Sequence, residues 1–141
     1  MNFDPDRFAV ILLKSMPDAV VYSDAEGRIQ YWNNGAEGIF GFTASEAIGQ
    51  SLDIIIPANL RQRHWDGYEQ TMRTGVTRYG AGDLLAVPAI RKDGSRISTE
   101  FTIVPFKDES GRMLGIAAVM RDVTKRFEEM RALRKAAAAA P

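Results

Sequence analysis

The chain has no cysteine, one histidine and no net charge: its 141 residues carry 18 Lys plus Arg against 18 Asp plus Glu. Each shortage excludes a class of function. Without cysteine there is no disulfide framework, no thiol nucleophile and no Cys-rich zinc site. A single imidazole cannot complete the sets of four Cys and His that hold structural zinc. Balanced charge removes the broad basic field on which non-specific nucleic-acid binding depends, so no nucleic-acid partner is expected. Long hydrophobic runs are missing as well. The longest early one, Phe8 to Leu13, is too short to span a bilayer and follows Asp4 and Asp6, where a signal peptide would be positive. No membrane span is expected, and a cytoplasmic location is. There is no P-loop, GxSxG elbow, HExxH pair or second histidine, so the chain does not read as an enzyme.

What is present suffices for one domain. Hydrophobic residues make up 45% of the chain, and a chain of this length buries roughly two thirds of its unfolded surface. FDPDRFAVILLKSM (residues 3–16) opens with Asp4 at an N-cap and Pro5 at the first helical position, which predicts a short helix that Pro17 stops. Ala19–Tyr22 and Arg28–Trp32 are β-rich runs joined by SDAEG and read as a hairpin. Residues 33–50 break into short helical pieces, with Thr43 and Glu46 spaced as a capping box. After Pro57 a helix is predicted from Ala58 to Thr74, ended by Gly75. Three strands follow, Asp83–Ile90, Ser95–Phe106 and Met113–Met120, separated by turn sequences at 92–94 and 108–111. The tail returns to helical spacing: Val123, Phe127, Met130, Leu133 and Ala137 form a narrow apolar seam, with Glu128 and Arg131 placed to pair. Five strands with helices clustered between the second and third make an α+β domain.

Two segments carry a family resemblance. PDAVVYSDAEGRIQYWNNGAEGIFGFTASEAIGQSLDIIIP resembles the N-terminal half of a PAS domain of the S-box sensory type. RKDGSRISTEFTIVPFKDESGRMLGIAAVMRDVTKR resembles its C-terminal half, ending in the Asp-Val-Thr triplet that leads into a signalling helix. The match covers roughly residues 16–126 in the expected order. It implies a five-stranded antiparallel sheet enclosing a pocket for a small ligand or cofactor. The implied layout is an N-terminal flanking helix at 1–16, the PAS domain at 17–122 and a C-terminal signalling helix at 123–141. A homodimer through the flanking helices is implied, acting on a separate effector or kinase unless the chain is part of something longer. PAS domains bind haem, flavins, carboxylic acids or nothing, so the fold leaves the ligand open. Flavin or chromophore chemistry that attaches through a cysteine is excluded by composition.

His64 is the residue on which the readings divide. In a helix over 58–74, Leu60, His64, Tyr68 and Met72 recur every four positions on the apolar stripe and face the core or pocket. His64 is then either a half-buried helix residue bonded to a backbone carbonyl or water, or the proximal ligand of haem b. The run RHWDGY (63–68) is similar to the Arg-His-Asp-x-Tyr run of rhizobial oxygen-sensing haem kinases, whose histidine holds iron; they also carry RKDG, found here at 91–94. On that resemblance the cofactor-binding residues are His64, Tyr68, Met72, Phe101, Ile103 and Ile116, with His64 as the metal ligand. Trp65 is an extra residue within the motif, and the position of the family's distal arginine falls on Asp83 or Leu85. Phe101 takes one of the two distal aliphatic positions; Ile103 keeps the other. Gly67 costs helix stability unless a close neighbour offsets it. Arg61 and Arg63 could meet carboxylates or simply be solvated, and Tyr31 and Trp32 could stack on a planar ligand or pack. The function expected is a sensory domain relaying ligand binding to its exit helix, with a haem-based gas or redox sensor through His64 as its sharper form; the alternative is a ligand-free dimerisation module.

Overall fold

A computed structural model describes residues 2–76 and 85–140. The first helix, α1, spans Pro5–Ser15, and Asp4 caps it by accepting from the backbone N–H of Asp6 and Arg7. Strands β1 (Ala19–Asp24) and β2 (Ile29–Trp32) form the expected hairpin. Helices α2 (Asn34–Phe40) and α3 (Ala44–Ala47) follow, the second started by the Thr43–Glu46 capping box. Two 3-10 turns, Leu52–Ile55 and Ala58–Leu60, precede α4 (Arg61–Thr74). The predicted helix therefore begins as a 3-10 turn, with the α-helix proper starting at Arg61. Strands β3 (Leu85–Ile90), β4 (Arg96–Lys107) and β5 (Met113–Asp122) and helix α5 (Thr124–Ala139) complete the chain. Asp83, the predicted start of the third strand, lies outside the described residues.

The strands form one antiparallel sheet in the order β2-β1-β5-β4-β3. The helices between β2 and β3 lie over its inner face, which Ala19, Val21, Ile97, Ile116 and Met120 cover. Trp32 is 4% exposed, packs against Phe40 with ring centroids 5.5 Å apart, and donates its indole N–H to the Phe42 carbonyl at 2.9 Å. It is core packing, so the stacking role considered for it is not needed.

Asn33 ties the N-terminal segment to this core. Its Oδ1 accepts from Val20 N and Ala36 N at 2.8 and 2.9 Å, and its Nδ2 donates to the carbonyls of Leu13 and Asp18 at 2.8 and 2.9 Å. Beyond that anchor α1 buries none of its residues. The seam of α5 is similarly bare, with Phe127, Met130 and Leu133 all exposed. Glu128 and Arg131 form no ion pair among the described residues; α5 is held instead by Arg126 Nη2 against Glu100 Oε1 at 2.7 Å. No helix among the described residues is long and apolar enough to cross a membrane.

Candidate functional site

Between α4 and the inner face of the sheet lies a cavity of about 520 Å³, within the roughly 300–1,000 Å³ of small-molecule sites. Its sheet wall includes Val21, Phe101, Ile103, Ile116, Ala118 and Met120. Leu52, Ile55 and Ile56 close it from the 3-10 segment. The α4 wall follows from helical geometry at about 100° per residue. Measured from His64, Thr71 lies about 20° and Gly67 about 60° to one side, while Tyr68 lies about 40° to the other; all four line the cavity. Arg63 stands at the edge of this arc and reaches the mouth. Trp65 and Met72 fall about 80–100° the other way and pack against the core instead.

Five of the six residues expected in the pocket are thus brought together: His64, Tyr68, Phe101, Ile103 and Ile116. Met72 is not. A stripe read strictly every four residues drifts by about 40° per step, so its last member leaves the face, and Thr71, seven residues from His64, takes its place. Of the two arginines weighed as carboxylate partners, Arg63 lines the cavity; Ser23 was missed. Ser23 continues the inward alternation of Ala19 and Val21 once β1 is extended to Asp24, which is the signal that would have found it. The close neighbour expected to justify Gly67 is not found among the described residues, where a Cβ would meet nothing within 4 Å. Asp83 lies outside the described residues, and so does the side chain of Leu85.

His64 is half-buried, edge-on to the Trp65 indole with centroids 4.6 Å apart. Its Nδ1 is sealed from solvent and has no hydrogen-bond partner among the described residues. Burial pulls the imidazole below its ordinary pKa, only partly opposed by the negative charge of Asp53, so the neutral ring is favoured. Tyr68 packs beside it at 5.6 Å and bonds across the cavity's end to Ser23 Oγ at 2.8 Å and to the Asp24 carbonyl at 2.5 Å. Burial, ahead of the other influences, pushes its phenol up to about 12. Among the described residues no group of three or more acidic or histidine side chains could hold a metal ion on its own. The arrangement suits binding: a largely apolar chamber with few polar groups, one neutral imidazole and the exposed Arg63 on its lining.

Comparison with known proteins identifies the family and the fold. The profile of the family described as PAS fold matches residues 13–128. An uncharacterised protein of Azorhizobium caulinodans is 35% identical over 127 residues, which is 89% of this chain and 17% of that protein. Sensor protein FixL of Bradyrhizobium diazoefficiens is 32% identical over 114 residues, 81% of this chain and 22% of that protein. The chain therefore spans about a fifth of the curated relatives it matches. Among solved structures, the PAS domain of a Colwellia psychrerythraea protein superposes with a TM-score of 0.73 at 23% identity, covering 86% of this chain and 99% of that one.

Proposed function

The chain belongs to the PAS fold family of sensory domains, and from that premise we propose that it is a ligand-responsive signalling module whose cavity receives a small, largely apolar molecule. The observation that carries the reading is the chamber of about 520 Å³ walled by α4 and the sheet. A self-filled core would leave no such space, because interiors pack to near-crystalline density. The relay runs through β5, whose Ile116, Ala118 and Met120 line the cavity and whose last residues lead directly into α5. At that junction Val123 N donates to Ser98 O, and Thr124 Oγ1 accepts from Ser98 N, both at 2.9 Å. A ligand that moves β5 against β4 therefore moves the start of α5. The bare apolar faces of α1 and α5 support pairing of two copies through these helices. A cytoplasmic location, a separate effector and the lack of enzymatic turnover complete the proposal.

Haem is the second reading, favoured by the motif around His64 and by its place in the wall. The chamber suits haem in volume and apolarity, and Arg63 could meet a propionate. The imidazole does not suit it. A metal-ligating histidine gives its other ring N–H to a carboxylate, carbonyl or water. If Nε2 held iron, Nδ1 would be a buried donor with no acceptor among the described residues; Nδ1 itself is sealed. An organic ligand therefore suits the chamber better than haem.

Two titrations of the purified chain test this. Two-ring aromatics and medium-chain alcohols should raise the melting temperature, since a ligand bound only by the folded state stabilises it by mass action. Hemin should give no Soret band that His64→Ala removes. A His64-dependent Soret band would replace the organic ligand with haem. No response to either titration would leave the ligand-free dimerisation module.

A further inference from the structure

The protons around Ser23 and Tyr68 follow from which neighbours can accept. The Asp24 carbonyl can only accept, so the single phenolic proton of Tyr68 is committed to it across 2.5 Å. Tyr68 therefore has no proton left for Ser23, and the 2.8 Å contact between the two hydroxyls must be bridged by the serine's proton. The other neighbour of Ser23 Oγ, the Ile116 carbonyl at 3.5 Å, is also an acceptor and too distant to compete. Thr71, on the same wall, gives its proton to the Gly67 carbonyl at 3.0 Å. Both cavity-lining aliphatic hydroxyls thus face the chamber with lone pairs and no free proton. Ser23 is 3% exposed, and among the described residues nothing donates to its oxygen.

Ser23 Oγ is already hydrogen-bonded through its proton to Tyr68 but keeps a lone pair with no donor, and an occupant that supplies a proton adds a hydrogen bond there. An occupant that brings a carboxylate or carbonyl to this corner sets lone pair against lone pair. A cation there is disfavoured too, because the surrounding wall is apolar and holds no counter-charge. We propose that the ligand is a neutral apolar molecule carrying a hydroxyl or N–H that it donates to Ser23 Oγ. Any acidic group it bears lies at the opposite end, toward Arg63 at the mouth. The inference rests on the reading that the cavity takes a ligand, and it adds which chemical end of that ligand enters first.

The test compares 2-naphthol with 2-fluoronaphthalene, matched in shape but differing in the donor, by calorimetric titration of the purified chain. The wild type should bind 2-naphthol roughly five- to tenfold tighter, the worth of one net hydrogen bond. Ser23→Ala should erase the preference while leaving the affinity for 2-fluoronaphthalene in place, and Ser23→Thr should restore it. Tyr68→Phe frees the serine's proton and should shrink the preference. Equal wild-type affinities, or a preference that survives Ser23→Ala, overturn the assignment of the corner while leaving the cavity reading intact. Failure of both compounds to bind or to shift the melting temperature removes the cavity reading and this assignment with it.

Discussion

The indole N–H of Trp65 donates to Asp53 Oδ1 at 2.7 Å, and the far edge of the same ring lies over Gly27, where a Cβ would sit 2.2 Å from two ring carbons. One side chain thus fixes α4 against the β1–β2 turn and the 3-10 segment at once. Gly27 also has φ of 78°, a conformation costly for any residue with a Cβ. Gly27→Ala should destabilise the fold by about 1–3 kcal/mol. Combined with Trp65→Ala, its cost should shrink, because the collision goes and only the backbone strain stays. A double-mutant cycle in urea reads this directly, and additive effects would mean the ring is not where it is described.

The pH dependence follows from His64. Burial holds its folded-state pKa below the ordinary 6.5, so the unfolded chain takes up the proton first as pH falls. Stability should be steady above that value and decline as pH drops from about 6.5 toward the lowered folded-state pKa. His64→Gln removes the titrating group and should flatten that part of the curve. Melting temperatures measured from pH 7.5 downward decide it; an unchanged slope in the variant would assign the loss to other groups. Tyr68 acts in the opposite sense at the alkaline end. Its raised value of about 12 means stability is intact below pH 10 and falls as pH rises beyond it.

Much of this arrangement could be read before any coordinates. The caps at Asp4 and Thr43, the strand alternation and the stop at Gly75 are local signals, set by neighbours a few residues away, and they placed the elements. The α4 stripe pointed at the cavity because helical periodicity is also local. What could not be read was long-range. The ring of Trp65 meets Gly27 across 38 positions, by subtraction of their numbers, and Tyr68 meets Ser23 across 45. Neither encounter leaves a periodic trace. Ser23 in particular looks like an ordinary strand residue until the fold sets a phenol against it.

Asn33 makes a similar long-range point about stability. Its amide serves Val20 N, Ala36 N and the carbonyls of Leu13 and Asp18 while only 2% exposed. Asn33→Ala leaves two buried N–H groups without acceptors and should cost at least ~2 kcal/mol. Asn33→Asp keeps the acceptor oxygen but loses the amide donors, so it should free the Leu13–Asp18 segment while leaving α2 capped. Hydrogen exchange at Ala36 separates the two variants; equal protection in both would show the cap is not what Asn33 supplies.

The exposed face of α1 predicts association. Phe8, Ile11 and Leu12 are about half exposed at 53%, 53% and 48%, and none is buried within the chain. Phe8→Glu with Leu12→Glu should convert a dimer to a monomer in sedimentation equilibrium. The melting temperature of the domain itself should change little at low concentration, since neither side chain is buried in one copy and Phe8 packs only on the exposed Phe3 ring, 5.3 Å away. A dimer that survives the pair of charges would move the interface to α5 or elsewhere.

Gly67 brings stability and binding into opposition at one position. It lies inside α4, where glycine costs about 1 kcal/mol relative to alanine, yet a Cβ built there touches no atom of the described residues within 4 Å. Gly67→Ala should therefore stabilise the empty protein by about that amount in urea denaturation. The same position lies on the arc that faces the cavity, so larger side chains project into the space a ligand needs. Gly67→Leu should keep or raise the stability of the empty chain while weakening 2-naphthol binding at least tenfold. Gain on one axis and loss on the other is the signature of a residue kept small for an occupant. If Gly67→Leu binds 2-naphthol as the parent does, the ligand sits elsewhere in the chamber, and the glycine owes nothing to it.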